Sequence, residues 1–573
     1  MILQALKEYY DRKAADSDSG IAPLGWEWKE ISFLIVLTKE GGFVRIEDRR
    51  AGMSMHGQPF LAPQEVKRSG KNFSPNILWD KTEYVLGVSE TPSNDTKTKH
   101  ENFINSLSAY ADILEVQAVL SFLKQDEPLL QLKDDPSWAQ LKTGTPRVSF
   151  RIEQQDYPVF RTEQFVCRYN KLLVPKKSVQ GICSVNGNID SIPNTHPKIV
   201  GVLGTDKGRG DLVSFNWKAA CSFGKDQNFN ASIGYQSAFA YTTALNTLLR
   251  KDSCQKMQVG DATTVFWASE KCTLEDEFTD IFGEPQKDNP DRGVDAVERL
   301  LSSVKTGAFV HDKGDAKFYV LGLSPAAKVR ISVRFWHEGT VAEMEKRFAD
   351  WFESLRIAHN AKEREHLSLT ALLLSVAPYN KDYQKWKANI PPNLAGAVMR
   401  SILEGTPYPA TLLSSALVRI KADREVTYPR AKLIKAFLNH NKERKLTVSL
   451  DKENTNVGYR LGRLFAILEK IQEEANPGIN ATIRDKFYAS ASSTPNAVFG
   501  NLMRLKNHHL GKLSQGRSIY FEKLLGEVIA EVPSFPAHLS LDEQGDFAIG
   551  YYHQRQDFFT KKESSEKQLA ETV

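Results

Sequence analysis

The sequence is poor in cysteine and lacks the cysteine spacings that build disulfide or metal sites. Its 573 residues include five cysteines. They are widely separated and lie at Cys167, Cys183, Cys221, Cys254 and Cys272. An odd number without a CxxC pair predicts neither a disulfide framework nor a four-thiolate zinc site. Such a chain fits a reducing compartment, and we expect a cytoplasmic protein.

Long hydrophobic runs are also missing. The most apolar stretch, "ISFLIVL" at residues 31–37, is far shorter than the ~20 residues that cross a bilayer. The opening "MILQALKEYYDRK" carries charges early and has no long apolar region, so it does not resemble a signal peptide. We therefore expect no association with a membrane.

The motifs of common enzyme classes do not occur. There is no phosphate-binding loop of the G-x4-GK-[ST] type and no GxSxG elbow, and the glycine-rich residues 201–210 fit neither pattern. A zinc-protease pattern begins at His337, but Val341 replaces its second histidine. His508 and His509 are adjacent on a predicted helix and point about 100° apart, so they cannot chelate one ion. We predict a protein without enzymatic activity, metal or cofactor.

One residue pair keeps an enzymatic alternative open. His311 and Asp312 are adjacent, as in metal-dependent phosphohydrolases. A metal centre of that kind needs further His and Asp ligands, and His196 is the only other histidine between His100 and His337. A metal-dependent nuclease that uses His311 and Asp312 is therefore the alternative from another functional class.

Positive charge is concentrated in one part of the chain. The net charge of +5, from 75 basic and 70 acidic residues, is too small by itself to indicate nucleic-acid binding. Residues 400–512, however, hold 19 Lys and Arg against 10 Asp and Glu, whereas residues 513–573 hold 6 against 10. A basic block of this kind attracts polyanions, although a solvated helical surface would have the same composition.

The first part of the sequence predicts helices and strands in alternation. We expect a helix at residues 1–13, then a β-hairpin at "ISFLIVLTKEGGFVRIED" with Gly41 and Gly42 in its turn. Residues 50–80 are rich in Gly and Pro and predict mostly loop. Further strands are predicted at residues 83–88, 147–153, 211–216, 263–268, 317–324 and 329–336, and helices at about 99–124 and 237–250.

From residue 362 onward the apolar residues follow a helical period. The segment "RLGRLFAILEKIQ" places its large apolar side chains on one face. Thr494 and Pro495 predict the start of a helix, and Ser540 and Glu543 have the spacing of a capping box. The last third of the chain is therefore predicted to be a bundle of helices.

These patterns predict an α+β fold. A mixed α/β N-terminal region with several short sheets and hairpins would precede an all-α C-terminal helical bundle. The predicted domains are residues 1–358, with subdomains at about 1–145 and 146–358, and residues 359–573, whose most compact part would be 451–573.

The first candidate binding site is the loop "EVKRSGKNFSPNILWD" at residues 65–80. Lys and Arg side chains neutralise phosphates, and Asn side chains bond to base edges, so this loop has the composition of a DNA reader. The candidate residues are Lys67, Arg68, Lys71, Asn72 and Asn76.

The second candidate site is the basic helical block. Cations recur on its successive predicted helices and would form a track for a single strand, with Phe487 and Tyr488 for base stacking. Packing of these two aromatic residues into the core is an equally open alternative. The candidate cations are Arg460, Arg463, Arg484, Lys486, Arg504 and Lys506.

Several segments, in order along residues 1–515, resemble the large subunit of the type I-C CRISPR Cascade complex. They include "MILQALKEYYDRK", "PNILWDKTEYVLGV", "AFAYTTALNTLL" and "FYVLGLSPAAKVRISVRFW". The most specific is "GYRLGRLFAILEKIQEEANPGINATIRDKFYASASSTPNAVFGNLMRL". The segment "GICSVNGNIDSIPNTHPK" departs from the family pattern except near Cys183 and "HPK", so no role is assigned there.

The resemblance implies a non-catalytic subunit at the foot of an RNA-guided surveillance complex. Its partners would be CRISPR RNA, the backbone and handle-binding subunits, a small subunit, and a helicase–nuclease that the complex recruits. It would read the protospacer-adjacent motif of duplex DNA, help to unwind it, and hold the displaced non-target strand with its helical part. In this family the C-terminal region can also be translated separately as the small subunit.

The motif-reading role of Lys71, Asn72 and Asn76 is a hypothesis from loop composition and family position. A purely structural scaffold, whose basic helices meet acidic faces of other subunits, is the remaining alternative.

Overall fold

The computed structural model divides into two compact units. It describes residues 1–50, 57–68, 73–89, 94–125, 128–143, 145–173, 179–215, 217–284, 291–306, 314–327 and 329–559. Unit 1 comprises Met1–Gly201 and Arg209–Thr247, and unit 2 comprises Val202–Gly208 and Leu248–Val573. About 50% of the chain is helical and 15% is strand, which confirms the α+β prediction.

Unit 1 combines short helices with short sheets. Its helices are α1 (Ile2–Ala14), α2 (Thr82–Val85), α3 (Asn94–Ser106), α4 (Leu114–Leu123), α5 (Pro128–Lys133), α6 (Trp138–Lys142), α7 (Glu163–Leu172) and α8 (Tyr235–Leu248). Its strands are β1 (Trp26–Ile31), β2 (Phe33–Leu37), β3 (Phe43–Asp48), β4 (Gln58–Pro63), β5 (Trp79–Lys81), β6 (Arg147–Ile152), β7 (Gln180–Ile182), β8 (Ile189–Ser191), β9 (Ile199–Val200) and β10 (Arg209–Gly210).

A four-stranded sheet in the order β3-β2-β6-β5 forms the centre of unit 1. Strand β2 pairs antiparallel with β3, as the predicted hairpin requires, and parallel with β6. All five residues of β2 are fully buried, because the strand lies inside the sheet and α4 contacts it. The uniformly apolar sequence "FLIVL" reflects this position, since a strand that is covered on both faces does not alternate apolar and polar residues.

Two predicted strands of unit 1 were wrong, and one strand was missed inside a segment that is otherwise mostly loop in its described residues. Strand β4 lies inside the predicted loop at residues 50–80, where it pairs antiparallel with β1. The predicted strand at residues 83–88 is instead the short helix α2. The described part of residues 211–216 contains no strand. In the first two cases pairing and packing partners distant in sequence decide the structure, and local propensity does not show them.

Unit 2 contains one antiparallel sheet and the helical bundle. The sheet has the order β11-β12-β13-β14 and includes the predicted hairpin. Its strands are β11 (Lys256–Val259), β12 (Ala262–Ala268), β13 (Lys317–Ala327) and β14 (Arg330–Thr340). The helices are α9 (Leu274–Phe282), α10 (Arg292–Thr306), α11 (Val341–Leu355), α12 (Leu369–Leu374), α13 (Tyr383–Ala388), α14 (Leu394–Glu404), α15 (Ala410–Asp423), α16 (Tyr428–Lys442), α17 (Val457–Ala475), α18 (Ile483–Ser493), α19 (Pro495–Leu510), α20 (Gln515–Ile529) and α21 (Leu541–Phe559).

Helix α17 lies at the centre of the bundle and packs most closely against α21. At their crossing, a Cβ added to Gly462 would clash with the carbonyl oxygen of Phe547, and one added to Gly550 would clash with that of Tyr459. The two helices therefore approach to backbone contact, which only glycine permits at these two positions.

The predicted helix starts in the bundle are confirmed. Thr494 is the N-cap of α19, with Pro495 at the first helical position, although the Thr494 side chain makes no capping bond. At the start of α21, the Ser540 N–H donates to Glu543 Oε2 at 2.7 Å and the Glu543 N–H donates to Ser540 Oγ at 3.3 Å. This reciprocal pair is the capping box that the spacing predicted.

The division into units falls at residue 247, and the predicted domain boundary at residue 358 remains a prediction. Residue 358 lies after the last described strand, which ends at Thr340, so it follows the change from mixed to helical structure. One buried core nevertheless joins the β12–β14 sheet to the bundle helices. None of the helices in the described ranges is long and apolar enough to span a membrane.

Candidate nucleic-acid interface

The loop between β4 and β5 is closed at its base by one buried carboxylate. The Asp80 side chain, which is 2% exposed, forms an ion pair with Arg68. It also accepts a hydrogen bond from the backbone N–H of Asn76 at 2.8 Å. Arg68 Nε donates in turn to the carbonyl oxygen of Ser74 at 2.6 Å. These contacts, which we call the Asp80 clamp, hold the two ends of the loop together.

The electrostatics of the Asp80 clamp follow from its burial. Burial raises the pKa of the Asp80 carboxyl, while the hydrogen bond and charge of Arg68 oppose that shift. The Arg68 guanidinium also lies over the ring of Tyr84, with its central carbon 4.1 Å from the ring centroid. Arg68 is thus held by Asp80, Ser74 and Tyr84, so its role in the loop is structural.

Asn76 has a different role from the predicted base contact. Its residue surface is 1% exposed, and its side-chain Oδ1 accepts from the backbone N–H of Val66 at 2.8 Å. Asn76 therefore joins the incoming and outgoing chain of the loop. A side chain engaged in this way is not available to a base edge, so we revise its assignment from reader to support.

Lys67 is only partly available to DNA. Its ammonium group donates to the carbonyl oxygen of His196 at 3.1 Å and pairs with Asp211 at 3.3 Å. Lys198 pairs with the same carboxylate at 2.5 Å. Burial lowers the pKa of Lys67, and the side chain keeps 31% exposure. Lys67 thus anchors the loop to His196 and Asp211, and its ammonium group is only partly exposed to solvent.

Lys71 and Asn72 lie outside the described residues, in the segment that joins the two clamped ends. Their assignment as readers of the adjacent motif remains a prediction. Lys99 of α3 lies over the rings of Phe73 and Tyr84, at 5.4 and 5.7 Å from their centroids, and pairs with Glu83 at 2.8 Å.

Two of the predicted strand-binding cations are inside the bundle. Arg460 is 4% exposed and Arg463 is 1% exposed. Arg463 donates to Gln554 Oε1 at 3.2 Å and to the carbonyl oxygen of Lys452 at 3.4 Å, and burial lowers its pKa. Because α17 is surrounded by other helices, even residues off its apolar face are buried. Neither side chain is exposed enough to contact a DNA strand in this fold. This corrects their assignment to the non-target-strand site.

Arg484 also participates in an internal network. Its Nε lies 3.7 Å from Oε1 of Glu469, a residue that is fully buried. The same carboxylate accepts from Tyr551 Oη at 2.5 Å and from Thr482 Oγ1 at 2.6 Å. The Arg484 side chain keeps 31% exposure, so it joins the network around Glu469 while part of it still faces solvent.

The other predicted cations remain at the surface. Lys486 and Arg504 are exposed, and Lys506 is half-buried. Arg504 contacts Asn501 at 3.4 Å and Lys506 contacts Asn507 at 3.0 Å, so both cations have neutral partners on their own helix. Since Arg504 and Lys506 are two residues apart on α19, they point about 200° apart and do not share a face.

The aromatic residues proposed for stacking belong to the core. Tyr488 is 3% exposed and contacts the rings of Phe465, Phe547 and Tyr551. Phe487 is half-buried and packs against the same core. This resolves the open alternative in favour of core packing.

The residues of the nuclease alternative, His311 and Asp312, lie outside the described part of the chain. Within the described ranges, no group of three or more His, Cys, Asp and Glu side chains is placed to hold a metal ion.

A family model described as CRISPR-associated protein (Cas_Csd1) matches residues 6–559. No curated protein matches the sequence.

Proposed function

The chain belongs to the Cas_Csd1 family of CRISPR-associated proteins, the large subunits of type I-C Cascade, and we propose that it reads the protospacer-adjacent motif through the loop at residues 67–76. The contacts to base edges are assigned to Lys71 and Asn72. The supporting contacts are assigned to Lys67, Arg68 and Asn76.

The Asp80 clamp is the observation that carries this proposal. A loop that reads DNA must hold its side chains in one arrangement, because ordering them on binding would cost affinity. Arg68, Asn76 and Asp80 fix both ends of the segment that contains Lys71 and Asn72. Lys71 would contact phosphate or a base acceptor, and Asn72 would donate to and accept from base edges.

Family membership places the chain in a Cascade complex with CRISPR RNA and other subunits. In the proposed function, the guide RNA reads the target sequence by base pairing, while this subunit reads only the adjacent motif, a division known for RNA-guided effectors. The subunit then helps to open the duplex and holds the displaced strand on exposed cations of the bundle, among them Lys486 and Arg504. Recruitment of a helicase–nuclease completes the proposed role.

Binding of the assembled complex to duplexes with a correct or a scrambled adjacent motif tests the proposal. The double variant Lys71→Ala/Asn72→Ala should lower the ratio of the two affinities by about 10-fold or more, since one good base contact discriminates by about 1–3 kcal/mol. The control is Lys97→Ala, which removes an exposed lysine of α3. A ratio unchanged in the double variant would exclude Lys71 and Asn72 as readers.

A cleavage assay on the isolated full-length chain distinguishes this function from the nuclease alternative. Incubation of the full chain with DNA and Mg²⁺ or Mn²⁺ should leave the DNA intact if the chain is a binding subunit. Cleavage that His311→Ala abolishes would instead favour the nuclease.

A further inference from the structure

A cleft of about 500 Å³ lies beside the two-stranded sheet β1–β4 in unit 1, and its described lining includes no residue of the Asp80 clamp. Its walls come from the end of α1 and the turn that follows, from the two strands, and from residues 157–161. Three aromatic side chains and one arginine line it. These are Trp28, Phe60, Tyr157 and Arg161.

Trp28 forms a fixed aromatic surface in this cleft. It pairs with Leu61 across the sheet, and its side chain is on the solvent side, with 48% of the residue exposed. The indole N–H donates to the carbonyl oxygen of Gly20 at 2.7 Å, which sets the orientation of the ring. The polar edge of Trp28 is therefore bonded inside the protein, which leaves the faces of the ring as the part of this side chain that can contact a ligand.

Tyr157 and Arg161 also line the cleft. Tyr157 is 45% exposed. Arg161 is exposed, and it forms no ion pair with any carboxylate in the described part of the chain; its guanidinium lies 5.8 Å from the ring centroid of Trp26. Asp16, on the α1 side, accepts from the backbone N–H of Asp18 at 3.0 Å. The cleft thus combines aromatic faces, one cation and one acceptor.

We propose that this cleft binds one unpaired nucleotide of a nucleic-acid single strand, with the base stacked on Trp28 and Tyr157 and the phosphate against Arg161. Aromatic faces combined with cations are the general means of binding single strands without reading their sequence. The Asp16 carboxylate would accept from the amino group of a base. The site is additional to the motif-reading loop and would bind whether or not that loop reads DNA.

The arrangement favours a nucleotide over a proline-rich peptide, the other ligand of aromatic grooves. A peptide needs hydrogen-bond donors for its carbonyl groups, and although Tyr157 and Arg161 carry donors, that of Trp28 is already bonded to Gly20. Stacking needs the face alone. Arg161 also supplies the charge that a phosphate requires and that a neutral peptide would leave unused.

Binding of the full-length chain to labelled oligo(dT) and oligo(rU), measured by fluorescence anisotropy, tests this site. Trp28→Ala and Tyr157→Ala should each weaken binding by about 5- to 150-fold, the range of base–aromatic stacking, and Trp28→Phe should retain most of the affinity. Arg161→Gln should make the salt dependence shallower by about 0.7 per lost phosphate contact. Tighter binding of oligo(rU) would assign the site to guide RNA, and tighter binding of oligo(dT) to displaced DNA.

The matched control is Phe223→Ala, which removes an aromatic residue that is 97% exposed and lies outside the cleft. It should leave single-strand affinity unchanged. If folded Trp28→Ala and Tyr157→Ala proteins bind both oligonucleotides as the unmodified chain does, the proposal is wrong. A photoreactive residue at position 157 that crosslinks to another protein subunit, and not to nucleic acid, in the assembled complex would also overturn it. Neither result depends on motif recognition.

Discussion

Arg68 and Asp80 form an ion pair across the base of the loop to which we assign motif reading, and the proposed readers Lys71 and Asn72 lie between them in sequence. The pair is largely withdrawn from solvent, with side-chain exposures of 21% for Arg68 and 2% for Asp80. The carboxylate also holds the backbone of Asn76. One buried group thus connects the start and the end of the loop, and the conformation of the loop depends on it.

We expect Asp80→Asn to weaken motif discrimination although it leaves the proposed readers Lys71 and Asn72 unchanged. The amide retains an acceptor but loses the charge that Arg68 pairs with, so the loop ends separate more easily. The free energy of unfolding should decrease by about 1–3 kcal/mol, which is the usual cost of removing a partner from a buried polar group. Denaturant unfolding and duplex binding check the two effects.

The control for this variant is Asp252→Asn. Asp252 pairs with Arg250 at 2.9 Å, but its side chain is 70% exposed. An exposed pair contributes little to stability. Equal effects of the two substitutions would show that the Asp80 clamp has no special role.

Two tyrosines of the bundle provide a second, matched pair of variants. Tyr551 and Tyr488 have ring centroids 5.5 Å apart, yet Tyr551 Oη donates to the Glu469 carboxylate while the buried Tyr488 Oη has no partner within the described ranges. Tyr551→Phe should lower the free energy of unfolding by about 1.5–3 kcal/mol. Tyr488→Phe should be neutral or stabilising. Chemical denaturation of both proteins measures the difference, and the opposite order would contradict the network around Glu469.

Glycines of the bundle give a third test. Gly462→Ala and Gly550→Ala should each destabilise the chain by at least about 1–3 kcal/mol, because the added methyl group meets the backbone of the facing helix. Gly500 and Gly526 are also helical, and a Cβ there would meet nothing within 4 Å. Their alanine variants should be neutral or more stable by up to about 1 kcal/mol. Thermal unfolding of the four variants distinguishes close helix contact from helix propensity.

Two buried lysines predict a rise of stability with pH. Lys432 and Lys435 are 2% and 3% exposed and donate to the carbonyl oxygens of Leu355 and Ser354, at the end of α11. Burial lowers the pKa of each from 10.5 to about 8. Between these values the unfolded chain binds more protons than the folded chain, so the free energy of unfolding increases with pH.

The variant Lys432→Met should lose its share of this rise. Between pH 8 and pH 10 the unfolding free energy of the unmodified chain should increase more steeply than that of the variant, by roughly 1 kcal/mol per pH unit. Lys452→Met, at an exposed position, should give a curve parallel to that of the unmodified chain. Parallel curves for Lys432→Met as well would show that the burial of Lys432 has no effect on its charge.

The exposed cations of the bundle give the fifth prediction. Replacing Lys486 and Arg504 by Gln should weaken binding of single-stranded DNA regardless of its sequence, and should reduce the salt slope by about 0.7 per phosphate contact. Arg460→Gln and Arg463→Gln should lower stability and leave the slope unchanged, because both side chains are buried. If the surface variants leave DNA binding intact but weaken assembly with other subunits, the scaffold alternative is favoured.

The sequence predicted the parts of this fold that local patterns determine. The β2–β3 hairpin, the capping box at Ser540 and Glu543, and the helical period of α17 all arise within a few residues. Strand β4 was missed because its partner β1 is about 30 residues earlier. The backbone contact at Gly462 joins helices about 80 residues apart, and no single-helix pattern reveals it.

Sequence patterns also failed to show which residues of the candidate site are buried by contacts within the fold. Composition indicated that the loop around Lys67 was basic, but it did not show which polar residues support the loop. Asn76 is an amide in a basic loop, which is the pattern of a base reader, and its burial became evident only with its bond to Val66. Arg463 was predicted to be exposed since it is off the apolar face of its helix, a rule that fails for a helix surrounded by others.

Photocrosslinking from the adjacent motif tests the central claim most directly. A duplex carrying a photoreactive base within the motif, bound to the assembled complex, should crosslink to this chain at residues 67–73, and Lys71→Ala/Asn72→Ala should reduce the yield. Crosslinks that map to another subunit, or to this chain far from the loop, would contradict the proposal that the loop held by the Asp80 clamp reads the motif.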